Sequence, residues 1–246
     1  MAARQASSDD IQLIDGRFLT RVFHAFLGLA ALSLLITIAG RHFGTAIVMA
    51  GNTDDTSLRR ITIGDEALLL PANVIRFSAA RHDGPASRIE LYVHWPDMQG
   101  YSLSMRDDFD GVADRRRILF LSILPRETTR DMSGRFAPIY SHLIESDGRE
   151  DPSGLVAYHF LPSSGYLDEE LLVARSGGDK PPFVARCLSD QASAGAFAGC
   201  LRDIQFGDDL ELRYRFPRSL VGNWEALDRA VRLFATTHLQ RPGPGS

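Results

Sequence analysis

Apolar residues follow three patterns along this chain, and each predicts a different kind of element. From Val22 to Gly40 (VFHAFLGLAALSLLITIAG) nineteen residues pass without Asp, Glu, Lys or Arg, and only His24, Ser33 and Thr37 are polar. At about 1.5 Å per residue a helix of this length covers roughly 28 Å, close to the ~30 Å hydrocarbon core of a bilayer. A helix apolar on every side needs lipid or complete burial, and the remaining chain is small for the second role. The segment is therefore predicted to be a transmembrane anchor over 22–40, in contact with membrane lipid.

The flanks suggest an orientation. Arg4, Arg17 and Arg21 precede the span, while only Arg41 closely follows it. Cationic flanks stay in the cytoplasm, so residues 1–21 are predicted to be a cytoplasmic tail. The rest then lies outside, anchored in the inner membrane. Thr37-Ile38-Ala39 and Val48-Met49-Ala50 resemble small-x-Ala cleavage sites. The long polar leader, and an apolar run exceeding the usual h-region of about 7–15 residues, favour a retained anchor instead.

The second pattern begins after a linker at 41–57, whose end (Gly51 to Ser57, GNTDDTS) is rich in turn formers. Short runs with β-branched or aromatic residues follow at 60–63, 67–70, 74–77, 88–95 and 117–124. In RIELYVHW, Ile89, Leu91, Val93 and Trp95 alternate as in a half-buried strand; RILFLSIL is more continuously apolar, as in a central one. A second series occupies 155–160, 171–175, 183–188, 200–206 and 209–216, with turn signals between its members.

The third pattern is helical. Phe136, Ile139, Tyr140, Leu143 and Ile144 recur at three- and four-residue steps, predicting an amphipathic helix from about Ser133. Leu220, Trp224, Leu227, Val231 and Phe234 predict another after Pro217. Strands in hairpin-length succession, rather than alternating with helices, indicate an α+β fold of mostly antiparallel sheet with one or two packed amphipathic helices. One extracytoplasmic domain over 58–239 is expected, with a flexible tail at 240–246.

Charge narrows the partners. Beyond Gly51 there are 28 acidic and 23 basic residues, a net charge of −5, which disfavours nucleic acid. Of the 27 basic residues only Lys180 is a lysine, and Arg favours fixed, bidentate pairs. The two cysteines, Cys187 and Cys200, fit neither a zinc nor a CxxC spacing. They flank a small-residue loop between strand-like runs, and outside the cytoplasm they are expected to form a disulfide.

Candidate chemistry is sparse. The acidic run from Asp107 to Asp114 fails as a calcium loop: with Gly111 sixth, the first and twelfth places fall to Arg106 and Arg117. A solvated acidic turn beside Arg115-Arg116-Arg117 is the simpler reading. No hydrolase elbow, zincin helix or phosphate-cradling loop occurs, and the seven histidines form no sequence-local chelate. No metal or cofactor is expected. His94 with Asp97 has the composition of a general-base pair without a nucleophile beside it. Trp95 and Tyr101 bracket a turn, and rings at a loop tip are typical partner contacts.

These readings predict a membrane-anchored, non-catalytic binding or assembly module of the cell envelope with a protein partner. An envelope hydrolase whose site assembles in three dimensions is the alternative, and an accessory subunit or inhibitor of a membrane complex is another.

Overall fold

The computed structural model describes residues 16–48, 51–110, 117–166, 168–175, 181–189, 192, 196 and 198–240. Of the tails expected at 1–21 and 240–246, 1–15 and 241–246 lie outside these residues, as do 111–116 of the acidic–basic run and half of the loop between the cysteines. The chain divides into two compact units, Met1–Ala50 and Gly51–Ser246.

The first unit contains α1 (Gly16–Val48), a helix of 33 residues that extends the apolar run at both ends. Its window Thr20–Ile38, with a mean hydropathy of 1.9, is apolar enough to cross a membrane, and none of it is buried. Two of its polar side chains bond to the backbone one turn back. Thr37 Oγ1 donates to the Ser33 carbonyl at 2.8 Å, and His24 Nδ1 lies 2.7 Å from that of Thr20. These bonds satisfy the two side chains within their own helix.

The second unit opens with the hairpin β1 (Leu58–Ile63) and β2 (Glu66–Pro71), turning at Gly64-Asp65, where Gly64 adopts a positive φ of 58°. Ile61, Ile63, Leu68 and Leu70 alternate inward and are buried. The expected third strand at 74–77 does not form. Ala72–Val74 is a 3-10 turn after Pro71, and only Ile75 bridges to Leu91. The pair β3 (Gly84–Pro85) and β12 (Leu239–Gln240) flank the hairpin in a four-stranded sheet, ordered β12-β2-β1-β3.

The larger sheet has eight strands: β4 (Ile89–His94), β5 (Ile118–Pro125), β6 (Arg149–Glu150), β7 (Leu155–His159), β8 (Glu169–Ala174), β9 (Val184–Leu188), β10 (Cys200–Phe206) and β11 (Leu210–Phe216). Their order is β4-β5-β11-β10-β9-β8-β7-β6, with every neighbouring pair antiparallel. Pairing of β5 with β11 joins β4 and β5 of the first series to the second series in one sheet, while β1 and β2 lie in the smaller one. The α+β, mostly antiparallel architecture is therefore present. Its packed helix is α3 (Trp224–His238), which buries Leu227, Val231 and Phe234 as their spacing predicts.

The amphipathic helix expected from Ser133 is absent. The segment 132–143 is a series of turns ending in a short 3-10 turn, Tyr140–His142. Pro138 cannot donate a helical hydrogen bond, and the neighbouring bonds are displaced: the Tyr140 N–H reaches Arg135 and the Ser141 N–H reaches Phe136. Asp203 further fixes the start by accepting the Met132 N–H at 3.1 Å. The apolar spacing still works as packing, since Tyr140 is buried and Phe136, Leu143 and Ile144 lie against a second cluster with Leu171, Val173 and Val184.

The join between β9 and β10 is as short as that of the edge strand β6 with β7, two residue pairs, although it lies in the middle of the large sheet. β10 pairs with β11 along seven residues but with β9 only at Cys200↔Cys187 and Leu201↔Arg186. Two devices reinforce it. Cys187 and Cys200 sit directly opposite, 4.0 Å apart at Cα, and form the expected disulfide. Arg202, only 2% exposed, occupies the place where the strands part. Its Nη1 donates to the Val184 carbonyl (2.7 Å) and Ser133 Oγ (3.0 Å), its Nε donates to Asp228 Oδ1 of α3 (2.9 Å), and its Cζ lies 4.4 Å over the Phe183 ring.

Asp228 also accepts from the Tyr214 hydroxyl (2.9 Å) and from Arg232 Nε (2.8 Å). Burial pushes its carboxyl up, but Arg202 and Arg232 outweigh this and hold it below its ordinary 3.8. A carboxyl depressed in the fold contributes stability above its unfolded value and loses it as pH falls through the folded one. Burial pushes Asp203 the other way, above 3.8, so its protonation on acidification favours the fold. Comparison with Asp228→Asn isolates the first effect. As pH falls below about 3.8, wild-type stability by urea unfolding should decline more steeply than that of the variant. Parallel slopes would remove Asp228 as an acid-sensitive tie.

Candidate functional site

The loop singled out by its rings is folded down onto the core. After β4, the Met98 N–H returns to the His94 carbonyl and the His94 N–H reaches Gln99, both at 2.8 Å. Gly100 then passes so close to Asn73 that a Cβ there would lie 2.6 Å from its backbone. Tyr101 is completely buried, with its ring 5.6 Å from that of Phe109 in the short helix α2 (Arg106–Asp110). Asn73 Nδ2 donates to its carbonyl at 3.0 Å. Tyr101 thus belongs to the interior rather than to a contact surface, because the close approach at Gly100 turns it inward. Trp95 is half-buried, packed against the main core.

His94 is buried, with Nδ1 2.9 Å from Asp97 and Nε2 3.5 Å from Asp108. Both ring nitrogens face carboxylates, which suits an anchored structural histidine better than a free general base. Among the described residues no cluster of three or more His, Cys, Asp or Glu is placed to hold a metal ion. The entry to this unit is pinned beside the same loop. The Tyr92 hydroxyl, pushed up to about 12 by burial, donates to Asn52 Oδ1, and Asn52 Nδ2 donates to Asp110, both at 2.9 Å.

The most distinctive surface lies elsewhere, on the outer face of β4, β5, β11 and β10. Leu121, Ile123, Leu212 and Tyr214 point into the core, so their alternates point out. Pairing aligns these in two rows. One runs Phe120–Arg215–Leu201 and the other Glu90–Ser122–Arg213–Asp203. Arg76 and Arg88 reach the same face from the chain between β2 and β4, and together these side chains border a cavity of about 740 Å³.

Some of its charges are neutralised in place. Glu90 accepts from Ser122 Oγ at 2.7 Å and lies 3.4 Å from Arg88. Arg213 donates to Glu211 (2.6 Å) and Glu127 (2.5 Å). Arg76 instead lies over two rings, 5.1 Å from the centroid of Phe77 and 5.0 Å from that of Phe120. Arg215 is exposed, and among the described residues neither it nor Arg76 forms an ion pair. Phe77 is 51% exposed beside them. The face thus offers guanidiniums and accessible rings, and the hydroxyl among its described lining residues, Ser122, is bonded to Glu90. Strand alternation in ELRYRF (Glu211–Phe216) was the one sequence signal for this face, and it covers only Arg213 and Arg215.

No family model matches the chain, and no curated protein matches it in sequence. Among solved structures, an immunity protein of the Stenotrophomonas maltophilia type IV secretion system aligns with a TM-score of 0.50 at 14% identity, over 76% of this chain and 94% of its own. The iron-regulated outer membrane lipoprotein of Neisseria meningitidis aligns with a TM-score of 0.39 at 11% identity, over 75% and 95%. The likeness to the first is one of fold.

Proposed function

We propose that this protein is a single-pass envelope protein whose extracytoplasmic domain binds a protein partner, as a non-catalytic accessory or inhibitory subunit. The observation that carries this reading is the outer sheet face, where guanidiniums and the ring of Phe120 border a cavity and the ring of Phe77 lies exposed beside Arg76. The apolar α1 supports attachment to the membrane, and the Cys187–Cys200 disulfide is in keeping with an oxidising compartment. That an immunity protein of a secretion system carries a similar fold is in keeping with a protein partner. In this reading the N-terminus stays in the cytoplasm of the inner membrane and the anchor is retained.

Purification of the tagged full chain in mild detergent should bring down a discrete protein partner, with the native anchor or with an unrelated one. Loss of the partner on anchor replacement would move recognition into the bilayer, and absence of any partner would reject the module. A reporter fused after Ser246 should behave as exported; cytoplasmic activity would reject the orientation.

A further inference from the structure

We propose that the outer face of β4, β5, β11 and β10 docks an acidic, extended segment of the partner protein, with Arg76 and Arg215 as its carboxylate receptors. The proposal rests on the binding-module reading above and names the chemistry of its partner.

Charge placement is the first argument. The chain beyond Gly51 carries net −5, yet among the described residues the cavity on this face is lined by Arg76, Arg88, Arg213 and Arg215 against one acid, Glu90. Asp203, further along its row, is buried and held by Arg135 and the Met132 N–H. Two of the four are committed, Arg88 to Glu90 and Arg213 to Glu211 and Glu127. Arg76 and Arg215 are left to take charge from outside. A domain with an overall negative field repels extended polyanions such as nucleic acid or an anionic bilayer. A short acidic peptide segment presents a few carboxylates to the local positive site alone.

Geometry is the second argument. The rings of Phe77 and Phe120 take the face of the Arg76 guanidinium, and contact over a ring leaves the in-plane N–H donors for a bidentate acceptor. Stacking also restricts the side chain before binding, which lowers the entropy lost on docking. Arg215 stands between Phe120 and Leu201 in its row, so each cation has apolar surface beside it. An extended segment alternating acidic and apolar residues matches this interleaving, with Phe77 as an exposed anchor for the apolar positions.

The test uses the full chain in non-ionic detergent, with a short fluorescein-labelled peptide of Glu and Phe and its counterpart carrying Gln for Glu. Fluorescence anisotropy should show binding of the acidic peptide and weakening of about tenfold or more in Arg76→Gln/Arg215→Gln. The exposed Arg229→Gln on α3, which changes net charge elsewhere, should bind as wild type. Equal binding of the Gln peptide, equal loss in Arg229→Gln, or no loss in the double variant overturns the proposal. So does displacement of the peptide by phosphatidylglycerol vesicles but not phosphatidylcholine vesicles, which assigns the face to lipid headgroups. A co-purified partner that stays with the double variant refutes this docking site and leaves the module reading standing. Peptide binding without any partner of the wild-type chain refutes the module reading and leaves the acid-binding face.

Discussion

Replacing Arg202 with Ala is expected to cost about 3–5 kcal/mol of folding stability, measured by urea unfolding at neutral pH. The guanidinium is buried at the parting of β9 and β10, and four groups depend on it: Asp228, Ser133, the Val184 carbonyl and the ring of Phe183. Truncation leaves a largely buried carboxylate with one of its two guanidinium partners gone and a carbonyl with an unmet acceptor. Leaving buried polar groups unpaired is costlier than the net worth of the bonds themselves. Burial should depress Arg202, but Tyr214 and Asp228 around it hold its guanidinium above its ordinary value, so it stays charged. The variant Arg202→Met, which keeps the bulk, should remain strongly destabilised. Arg202→Met combined with Asp228→Leu should recover part of the loss, because no charge is then stranded. If Arg202→Ala costs under about 1 kcal/mol, the strands are held by apolar packing alone.

Reduction of Cys187–Cys200 is the second large effect, expected at about 3 kcal/mol. The bridge spans a sequence separation of 13, and closing a loop of that size restricts the unfolded chain by roughly this amount. Both sulfurs are buried within the main core, so the bridge should resist a thiol reductant, and alkylation of the cysteines should follow only when reductant is present and the protein unfolds. The location makes the consequence specific. With two residue pairs joining β9 to β10, the disulfide lies at the only direct strand pairing between β6–β9 and β10–β11–β5–β4. Hydrogen exchange after reduction should therefore rise first in β9 and β8, with β11 and β5 slower. Uniform exchange would show that the halves open together and that the join has no separate weakness.

Both tests bear on the proposed docking face, since β10 and β11 carry part of it. Loss of the Arg202 network should be read as a loss of fold, whereas Arg76 and Arg215 are exposed and their substitution should change docking with little loss of buried packing. In this reading the two groups of arginines serve different ends for one physical reason. Arg202 has its donors satisfied inside the protein, and Arg76 and Arg215 do not.

Several features of this molecule were legible in the chain. The apolar run at 22–40 needed no tertiary information, because its length and lack of charge match a bilayer whatever follows. Alternation identified β4 and three–four spacing identified α3, because one buried face imposes each period, while a continuous apolar run identified β5 and apolar runs between turn signals identified β10 and β11. Where local chemistry competed with periodicity the expectation failed. Pro138 interrupts the bonds that Phe136, Tyr140 and Leu143 suggested, and Pro71 with Asn73 diverts the expected third strand into a turn. The Cys187–Cys200 pairing followed from two cysteines flanking one loop between strand-like runs.

The outer sheet face was a different matter. Arg76 and Arg88 lie far in sequence from Arg215, and the pairing of β4 with β5 and of β5 with β11 brings them to one surface. The ring of Tyr101, read as a loop tip, is interior because Gly100 packs on Asn73, a contact between residues with no sequence signal linking them. Local periods record which side of an element is buried, so the chain by itself determined the apolar helix, most of the longer strands, the last helix and the bridge. Which exposed side chains meet depends on strand order across the sheet, and that order is set by long-range pairing, so the tertiary structure alone decided the site.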